Sequence, residues 1–210
     1  MDAKSTWNGC VTDRGTASGP LSDYDRKVTA PSTSITATLF PAEQTAYCSP
    51  LVTALNYNWN GMRTSVDALY PSGATNQPIG LVWGWQSLVG GGPFPAPPVM
   101  ASGYTYSQVI VLMSDGLNTL NRWNGDGSST NTSVDKRMQE SNVLGTCANV
   151  KAAGITIYAV HVNTGGDPES VLLKNCASGT DKFWMVTTSS GLNTVFNAIG
   201  TNLSQLRIAQ

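Results

Sequence analysis

Apolar runs and helical periods alternate along the second two thirds of the chain. Five apolar residues, 109–113, lead straight into Ser114-Asp115-Gly116, and a second β-rich run extends from Ile155 to Val162. Uninterrupted runs of this kind are typical of strands that are buried on both faces, as in a parallel sheet covered by helices. A third strand is predicted from Phe183 to Val186.

Helical patterns lie between these runs. Val66 and Leu69 predict a short helix that Pro71 ends, and Pro78 suits the first turn of a second helix that stops at the glycines 90–92. The other predicted helices occupy residues 140–153, 171–175 and 192–206. Strands that alternate with helices predict an α/β fold with a doubly wound, mostly parallel sheet covered by helices.

The first part of the chain lacks this alternation and is rich in residues that break regular structure. We interpret residues 1–62 as an irregular, loop-rich, disulfide-containing segment that packs on a main α/β domain at residues 63–210. Residues 117–137, which are polar and contain glycine, are predicted to form a long surface loop after the first strand.

Composition and charge narrow the class of protein. The chain has 210 residues, with 12 Lys and Arg against 13 Asp and Glu, and its basic residues are scattered, so no footprint for nucleic acid or anionic lipid appears. Charged residues make up 12% of the chain, roughly half the usual share. The uncharged polar residues that replace them suit an exported protein. No segment approaches the ~20 apolar residues that span a bilayer.

Four cysteines, Cys10, Cys48, Cys147 and Cys176, allow three pairings and show no C-x-x-C spacing. We favour Cys10–Cys48 and Cys147–Cys176, because each pair closes a local segment, of 37 and 28 intervening residues. Each bond would stabilise the fold by roughly 3 to 4 kcal/mol in the chain-entropy model. Such bonds would indicate an oxidising compartment, and four buried free thiols are the alternative.

Two polar loops carry candidate chemistry. One is Gly73-Ala74-Thr75-Asn76, just before a predicted helix, and the other is Ser114-Asp115-Gly116, at the carboxyl end of a predicted strand, where α/β sheets bind ligands. A hydroxyl and a carboxylate are oxygen ligands that Mg²⁺ accepts, so Thr75 and Asp115 are candidate metal ligands. The neighbouring candidates for ligand binding are Asn76, Ser114 and Asn118. Turn formation by Asp115 and helix capping by Asn118 are the structural alternatives.

Several further pieces of sequence carry a resemblance to a known family. They are Trp7–Arg14, Phe40–Ala42, Gly73–Asn76, Gly80–Trp85, Val111–Thr119, Cys147–Ile155 and Asn175–Ser178. Through them the chain resembles the von Willebrand factor type A domain, and more closely the carboxyl-terminal part of TadG-like assembly proteins of the tight-adherence (Flp) pilus. The resemblance covers nearly the whole chain.

This resemblance implies a Rossmann-like, doubly wound fold with a metal-ion-dependent adhesion site. In that site Thr75 matches the second loop and Asp115 the third, whereas the first loop, Asp-x-Ser-x-Ser, is absent from the 210 residues, as is the amino-terminal membrane anchor of family members. We therefore expect a sheet that is incomplete at its N-terminal side and weak or no binding of Mg²⁺ or another divalent cation. A chain that is either a fragment or a naturally short member would show these features.

The functional expectation is a non-enzymatic adhesion or assembly domain of the bacterial cell envelope, periplasmic or at the cell surface. It would bind protein partners of a pilus system through the carboxyl-terminal edge of its sheet. A carbohydrate-binding surface that uses Trp123, Trp59 and nearby asparagines is one alternative. A metal-dependent hydrolase that uses Asp115 is the weakest, because no G-x-S-x-G or H-E-x-x-H motif occurs and the single His161 lies inside a strand pattern.

Overall fold

A computed structural model describes residues 4–18, 29–43, 51–91, 93–95, 102–103, 106–139 and 145–205. The chain forms two compact units, each built from separate stretches of sequence. The first contains Met1–Tyr106 and Asn118–Asn149, and the second contains Ser107–Leu117 and Val150–Gln210. The predicted boundary between residues 62 and 63 stays a prediction.

The described residues contain three β-strands and six α-helices. The strands are β1 (Val109–Ser114), β2 (Thr156–Val162) and β3 (Phe183–Val186). The helices are α1 (Trp59–Asp67), α2 (Gln77–Val89), α3 (Thr132–Gln139), α4 (Thr146–Ala152), α5 (Val171–Cys176) and α6 (Ser189–Gln205). No helix among the described residues has both the length and the apolar character needed to cross a bilayer.

The second unit has an α/β fold with a three-stranded, all-parallel sheet in the order β1-β2-β3. In the register of the sheet, Val111 lies opposite Tyr158, and Val160 lies opposite Trp184. The sequence prediction of a parallel α/β sheet is confirmed. The apolar run of β2 is buried on both faces, as its composition predicts. The prediction that residues 109–113 are buried on both faces is wrong, because Val111 and Met113 of β1 are 39% and 51% exposed.

Helices cover both faces of this sheet. On one face, Val195 and Ile199 of α6 pack against Tyr158 and Val160 of β2. On the opposite face, Leu173 of α5 packs against Ala159 of the same strand. Successive residues of a strand point to opposite sides, so the alternation within β2 divides the core into two layers.

The first unit has a different character. Helix α2 begins with Pro78 in its first turn and buries Leu81, Val82 and Trp85, while its end is marked by Gly90, whose φ is 72°. A residue with positive φ after the last turn favours glycine, so the chain leaves the helix at the predicted place. The described residues before α1 form 3-10 turns and isolated bridges, of which Val11 with Ala42 is one.

The prediction of a loop over residues 117–137 is wrong in its last part. Helix α3 starts at Thr132 and buries Val134 and Met138 completely. Two apolar residues four positions apart are too few to distinguish a short helix from a polar loop by periodicity. The predicted helix over residues 140–153 is present as α4 from Thr146, and residues 140–144 lie outside the described part of the chain.

A disulfide joins Cys147 to Cys176, which confirms that predicted pair. Cys10 is also in a disulfide, whereas Cys48 lies outside the described residues, so the pairing Cys10–Cys48 stays a prediction. None of the described cysteines is a free thiol. The disulfide is consistent with an oxidising, extracytoplasmic compartment.

Candidate functional site

The carboxyl end of β1 presents a turn whose geometry is set by a serine. Ser114 is the last residue of the strand, and its Oγ accepts a hydrogen bond from the backbone N–H of Gly116 at 3.3 Å. The same hydroxyl lies 3.0 Å from the carbonyl oxygen of Gly116, to which it donates. Asp115, at the apex, is exposed and makes no hydrogen bond or ion pair with any described residue. An unpaired carboxylate therefore stands at the carboxyl edge of the sheet.

The polar residues near the end of β2 hold its loop together. His161 is buried, and its Nδ1 accepts a hydrogen bond from the backbone N–H of Ser170 at 3.3 Å. Nδ1 is therefore unprotonated, and the ring proton is on Nε2. Asn163 bonds to the backbone of Asp167 through both ends of its amide. Sequence reasoning identified His161 as a strand residue with a satisfied ring but did not identify Asp167, an exposed carboxylate in the loop after β2.

The second predicted loop, around Thr75, belongs to the first unit and is fixed by its backbone. The N–H of Thr75 donates to Oγ1 of Thr119 at 2.9 Å, and the carbonyl oxygen of Thr75 accepts from the N–H of Thr119 at 3.0 Å. The hydroxyl of Thr75 makes no hydrogen bond with any described residue. The role of Thr75 as a metal ligand stays a prediction.

Asn76 and Asn118 both act at the start of α2. Oδ1 of Asn76 accepts from the N–H of Ile79 at 3.5 Å, as an N-cap does, and Oδ1 of Asn118 accepts from the N–H of Gln77 at 2.8 Å. Asn118 is 1% exposed, and its Nδ2 donates to Oδ1 of Asp135 at 2.8 Å. The capping alternative for Asn118 describes what its side chain does here, and its role in ligand binding stays a prediction.

The predicted site residues fall into two groups. Thr75, Asn76 and Asn118 come together in the first unit, and Ser114 and Asp115 come together in the second. The convergence of Thr75 with Asp115 at one metal site stays a prediction. No group of three or more His, Cys, Asp or Glu side chains that could hold a metal ion occurs in the described part of the chain.

Sequence reasoning missed a buried carboxylate that holds the first unit together. Asp13 is fully buried, and its Oδ2 accepts from Nδ2 of Asn76 at 2.8 Å and from the backbone N–H of Arg122 at 3.2 Å. The Arg122 guanidinium donates in turn to the carbonyl oxygen of Asp13 at 3.3 Å. No local signal marks this residue, because its partners lie 63 and 109 positions away.

Two buried arginines add to the polar interior of the first unit. Arg14 donates to the carbonyl oxygen of Thr38 at 3.0 Å and lies 4.8 Å from the ring centroid of Phe40. Arg137 lies 4.1 Å from the ring centroid of Trp123. Cation–π contact of this kind stabilises a desolvated guanidinium. It also occupies part of the Trp123 ring that a carbohydrate would need.

The half-buried carboxyl of Asp135 makes the stability of the folded protein depend on pH. Burial raises the pKa of Asp135, and the hydrogen bond from Asn118 opposes this effect. Because the pKa in the folded state is above the unfolded value of about 3.9, its contribution to stability is complete below the unfolded pKa. That contribution is lost as pH rises through the folded pKa.

We therefore expect the wild-type protein to lose stability relative to Asp135→Asn as pH rises through this window. The asparagine keeps an oxygen that accepts from Asn118 but carries no charge to desolvate. Denaturant titrations of both proteins across the acidic range measure the difference. A difference that stays constant, or that changes in the opposite direction, would contradict the assignment.

Comparison with known protein families, with curated proteins and with solved structures gave no match. The resemblance to type A domains that the sequence motifs indicate therefore stays a prediction.

Proposed function

We propose that this chain is a non-enzymatic adhesion or assembly domain of the bacterial cell envelope, related to the TadG-like proteins of the tight-adherence pilus. It binds protein partners through the carboxyl-terminal edge of its parallel sheet. The disulfide between Cys147 and Cys176 and the low charge content support an exported protein. The α/β fold is the class of fold that type A domains have, which supports the relationship. Ligands of open α/β sheets bind at the carboxyl edge of the strands, which supports this edge as the contact surface.

The exposed end of β1 is the observation that carries the proposal. Asp115 has no partner among the described residues, and Met113, two positions before it, is 51% exposed. Methionine adapts its shape to a partner surface and is enriched in protein interfaces. A free carboxylate beside an exposed methionine offers one charged and one apolar contact to the same partner.

The surroundings of Asp115 favour binding over catalysis. A carboxylate that acts in hydrolysis needs a base, a nucleophile or a metal within reach. His161 uses Nδ1 for a structural bond, and no described residue is hydrogen-bonded to Asp115. The part of the chain that the structure describes therefore offers no hydrogen-bonded partner group for Asp115 in the hydrolase alternative.

A divalent cation is a minor part of the proposal. Thr75 and Asp115 would supply one hydroxyl and one carboxylate, which are donors of the right chemistry. They carry a single negative charge between them, whereas Mg²⁺ takes six oxygen ligands, so water would have to supply most of the shell. Weak or no binding of a divalent cation is what this donor set supports.

A carbohydrate-binding surface is the second candidate. Trp59 is 68% exposed, and its ring packs edge to face with that of Tyr57, with centroids 6.3 Å apart. Exposed aromatic rings of this kind can stack on sugars. Binding to a glycan array that is lost in Trp59→Ala but kept in Asp115→Ala would favour this candidate.

The main test has two steps. A photo-crosslinking residue at position 115 first captures the partner in the native envelope, and the affinity for the purified partner is then measured. We expect Asp115→Ala to weaken the affinity for that purified partner about tenfold or more, as truncation of a central interface residue does. Glu43→Ala is the matched control, because Glu43 is also an exposed acidic residue with no described ion pair. Equal affinities of wild type and Asp115→Ala would refute the proposed edge. Turnover of an ester or phosphate substrate that Asp115→Ala abolishes would replace it with an enzyme.

A further inference from the structure

A segment of the first unit, residues 51–74, is mostly exposed, with only Ala54, Gly61, Met62 and Ser65 half-buried. We call it the arm. None of its residues is buried, and helix α1, which lies inside it, buries no residue at all. Its large apolar side chains are 57% to 84% exposed at Leu51, Leu55, Tyr57, Trp59, Val66 and Leu69. Such a concentration of exposed apolar side chains is unusual on a monomeric protein and marks an interaction surface.

The apolar residues of α1 form a narrow stripe. Trp59, Met62 and Val66 follow one another at intervals of three and four residues, and Leu69 follows two residues after the helix ends at Asp67. This is the a/d spacing of a coiled-coil seam, which fits the side of another helix. The helix is well defined at its start, because Oδ1 of Asn58 accepts from the N–H of Gly61 at 3.0 Å.

The charge of the arm argues against a lipid surface. Arg63 and Asp67 are its only charged residues, and they lie 3.8 Å apart on successive turns of α1. The arm therefore has no net charge and no basic cluster, whereas helices that lie on membranes are rich in Lys and Arg on their polar face. The same neutrality means that two arms would not repel each other.

The exposed area is of the size that a protein interface needs. The six exposed side chains named above offer roughly 400 to 700 Å² of apolar surface. Each partner contributes about 800 Å² to an interface of standard size. The apolar side chains of the arm, including those outside α1, thus supply most of the area for a stable contact, and neighbouring polar residues can supply the rest.

We propose that the arm is the contact between two copies of this chain, with the α1 seams packed against each other around a twofold axis. A second copy is the occupant that fits, because a seam of this kind is complementary to itself and a twofold contact uses the same surface on both chains. The contact uses none of the residues of the carboxyl edge of the sheet. It therefore stands independently of the proposed function.

The test is the mass of the 210-residue chain in solution, measured by light scattering and sedimentation over the micromolar range. We expect wild type to have twice the chain mass of 22.2 kDa. Val66→Glu places a carboxylate in both halves of the seam, and it should weaken dimerisation about 100-fold or more. Since Val66 is already 64% exposed, the fold should be unaffected, which near-ultraviolet circular dichroism checks.

Val171→Glu is the matched control, since Val171 is a helical valine of the second unit with 63% exposure. It should remain dimeric. A monomeric wild type would overturn the proposal, and so would a Val66→Glu protein that dimerises like wild type. Binding of a monomeric wild type to phosphatidylcholine or phosphatidylglycerol vesicles would assign the arm to a membrane surface instead.

Discussion

Replacing Cys147 and Cys176 together by alanine is expected to lower the free energy of unfolding by about 3 to 4 kcal/mol. The bond between them closes a loop with 28 intervening residues, which contains the whole of β2. Without the bond, the unfolded chain gains the conformational freedom that closing this loop removes. For a chain of this length the change corresponds to a fall in melting temperature of about 10 °C.

Alanine is a better replacement for these cysteines than serine, because both cysteines are buried, with 5% and 1% exposure. A serine hydroxyl at either position would add the cost of an unpaired buried polar group to the effect of the missing bond. Denaturant unfolding of wild type and variant without reductant measures the effect of this bond alone, since Cys10 keeps its own disulfide in both proteins. A change below about 1 kcal/mol would show that the bond does little to restrict the unfolded chain.

The parallel sheet could be predicted from the sequence because its signal is local. Each strand is an apolar run, and the burial of β2 between α5 and α6 follows from that composition. Strand β3 was predicted around Phe183 to Val186 and is present there. Helix α3 could not be predicted, because most of its surface is polar and its two buried residues, Val134 and Met138, carry too little periodicity.

The arm shows what periodicity leaves open. Val66 and Leu69 predicted a helix, and α1 contains Val66 but ends at Asp67, two residues before Leu69. Periodicity shows which side of a helix is apolar, but the packing of the rest of the protein decides whether that side is covered. In this chain it remains exposed, with Val66 at 64% and Leu69 at 58%. The inferred dimer follows from this exposure and was not visible in the pattern.

The candidate site was ambiguous in the sequence for a chemical reason. The side-chain oxygen of Asn76 or Asn118 can accept from a backbone N–H or bind a ligand, and the residue type is the same in both cases. The structure shows both oxygens accepting from N–H groups at the start of α2. Asp115 was predicted at the end of its strand and lies there, exposed.

Asp13 is hydrogen-bonded to residues that are distant in the sequence, so we expect Asp13→Ala to have a large effect on stability. We expect it to lower the free energy of unfolding by about 2 to 4 kcal/mol. Its Oδ2 accepts from Nδ2 of Asn76 and from the N–H of Arg122. Alanine would leave both donors in the interior without their acceptor, and an unmade hydrogen bond at a buried donor costs more than a made one contributes.

Asp13→Asn separates the hydrogen bonds from the charge. Its amide oxygen can take the position of Oδ2 and accept from both donors, while the negative charge is lost. If the hydrogen bonds dominate, the asparagine variant should be clearly more stable than the alanine variant. An asparagine variant as unstable as the alanine variant would show that these two hydrogen bonds do not decide the effect, because its amide N–H₂ would occupy the position of Oδ1, which is buried and has no hydrogen-bond partner among the described residues.

Asp115→Ala is the control for both variants, since it removes a carboxylate that is exposed and has no described partner. Its stability should match wild type within about 0.5 kcal/mol, as for most surface substitutions. Denaturant unfolding of all four proteins under one set of conditions gives the comparison. An Asp13→Ala protein as stable as Asp115→Ala would mean that the loops around Asn76 and Arg122 do not depend on Asp13. With the expected order, the same Asp115→Ala protein can be used in the binding test, because any loss of affinity would then come from the edge of the sheet and not from unfolding.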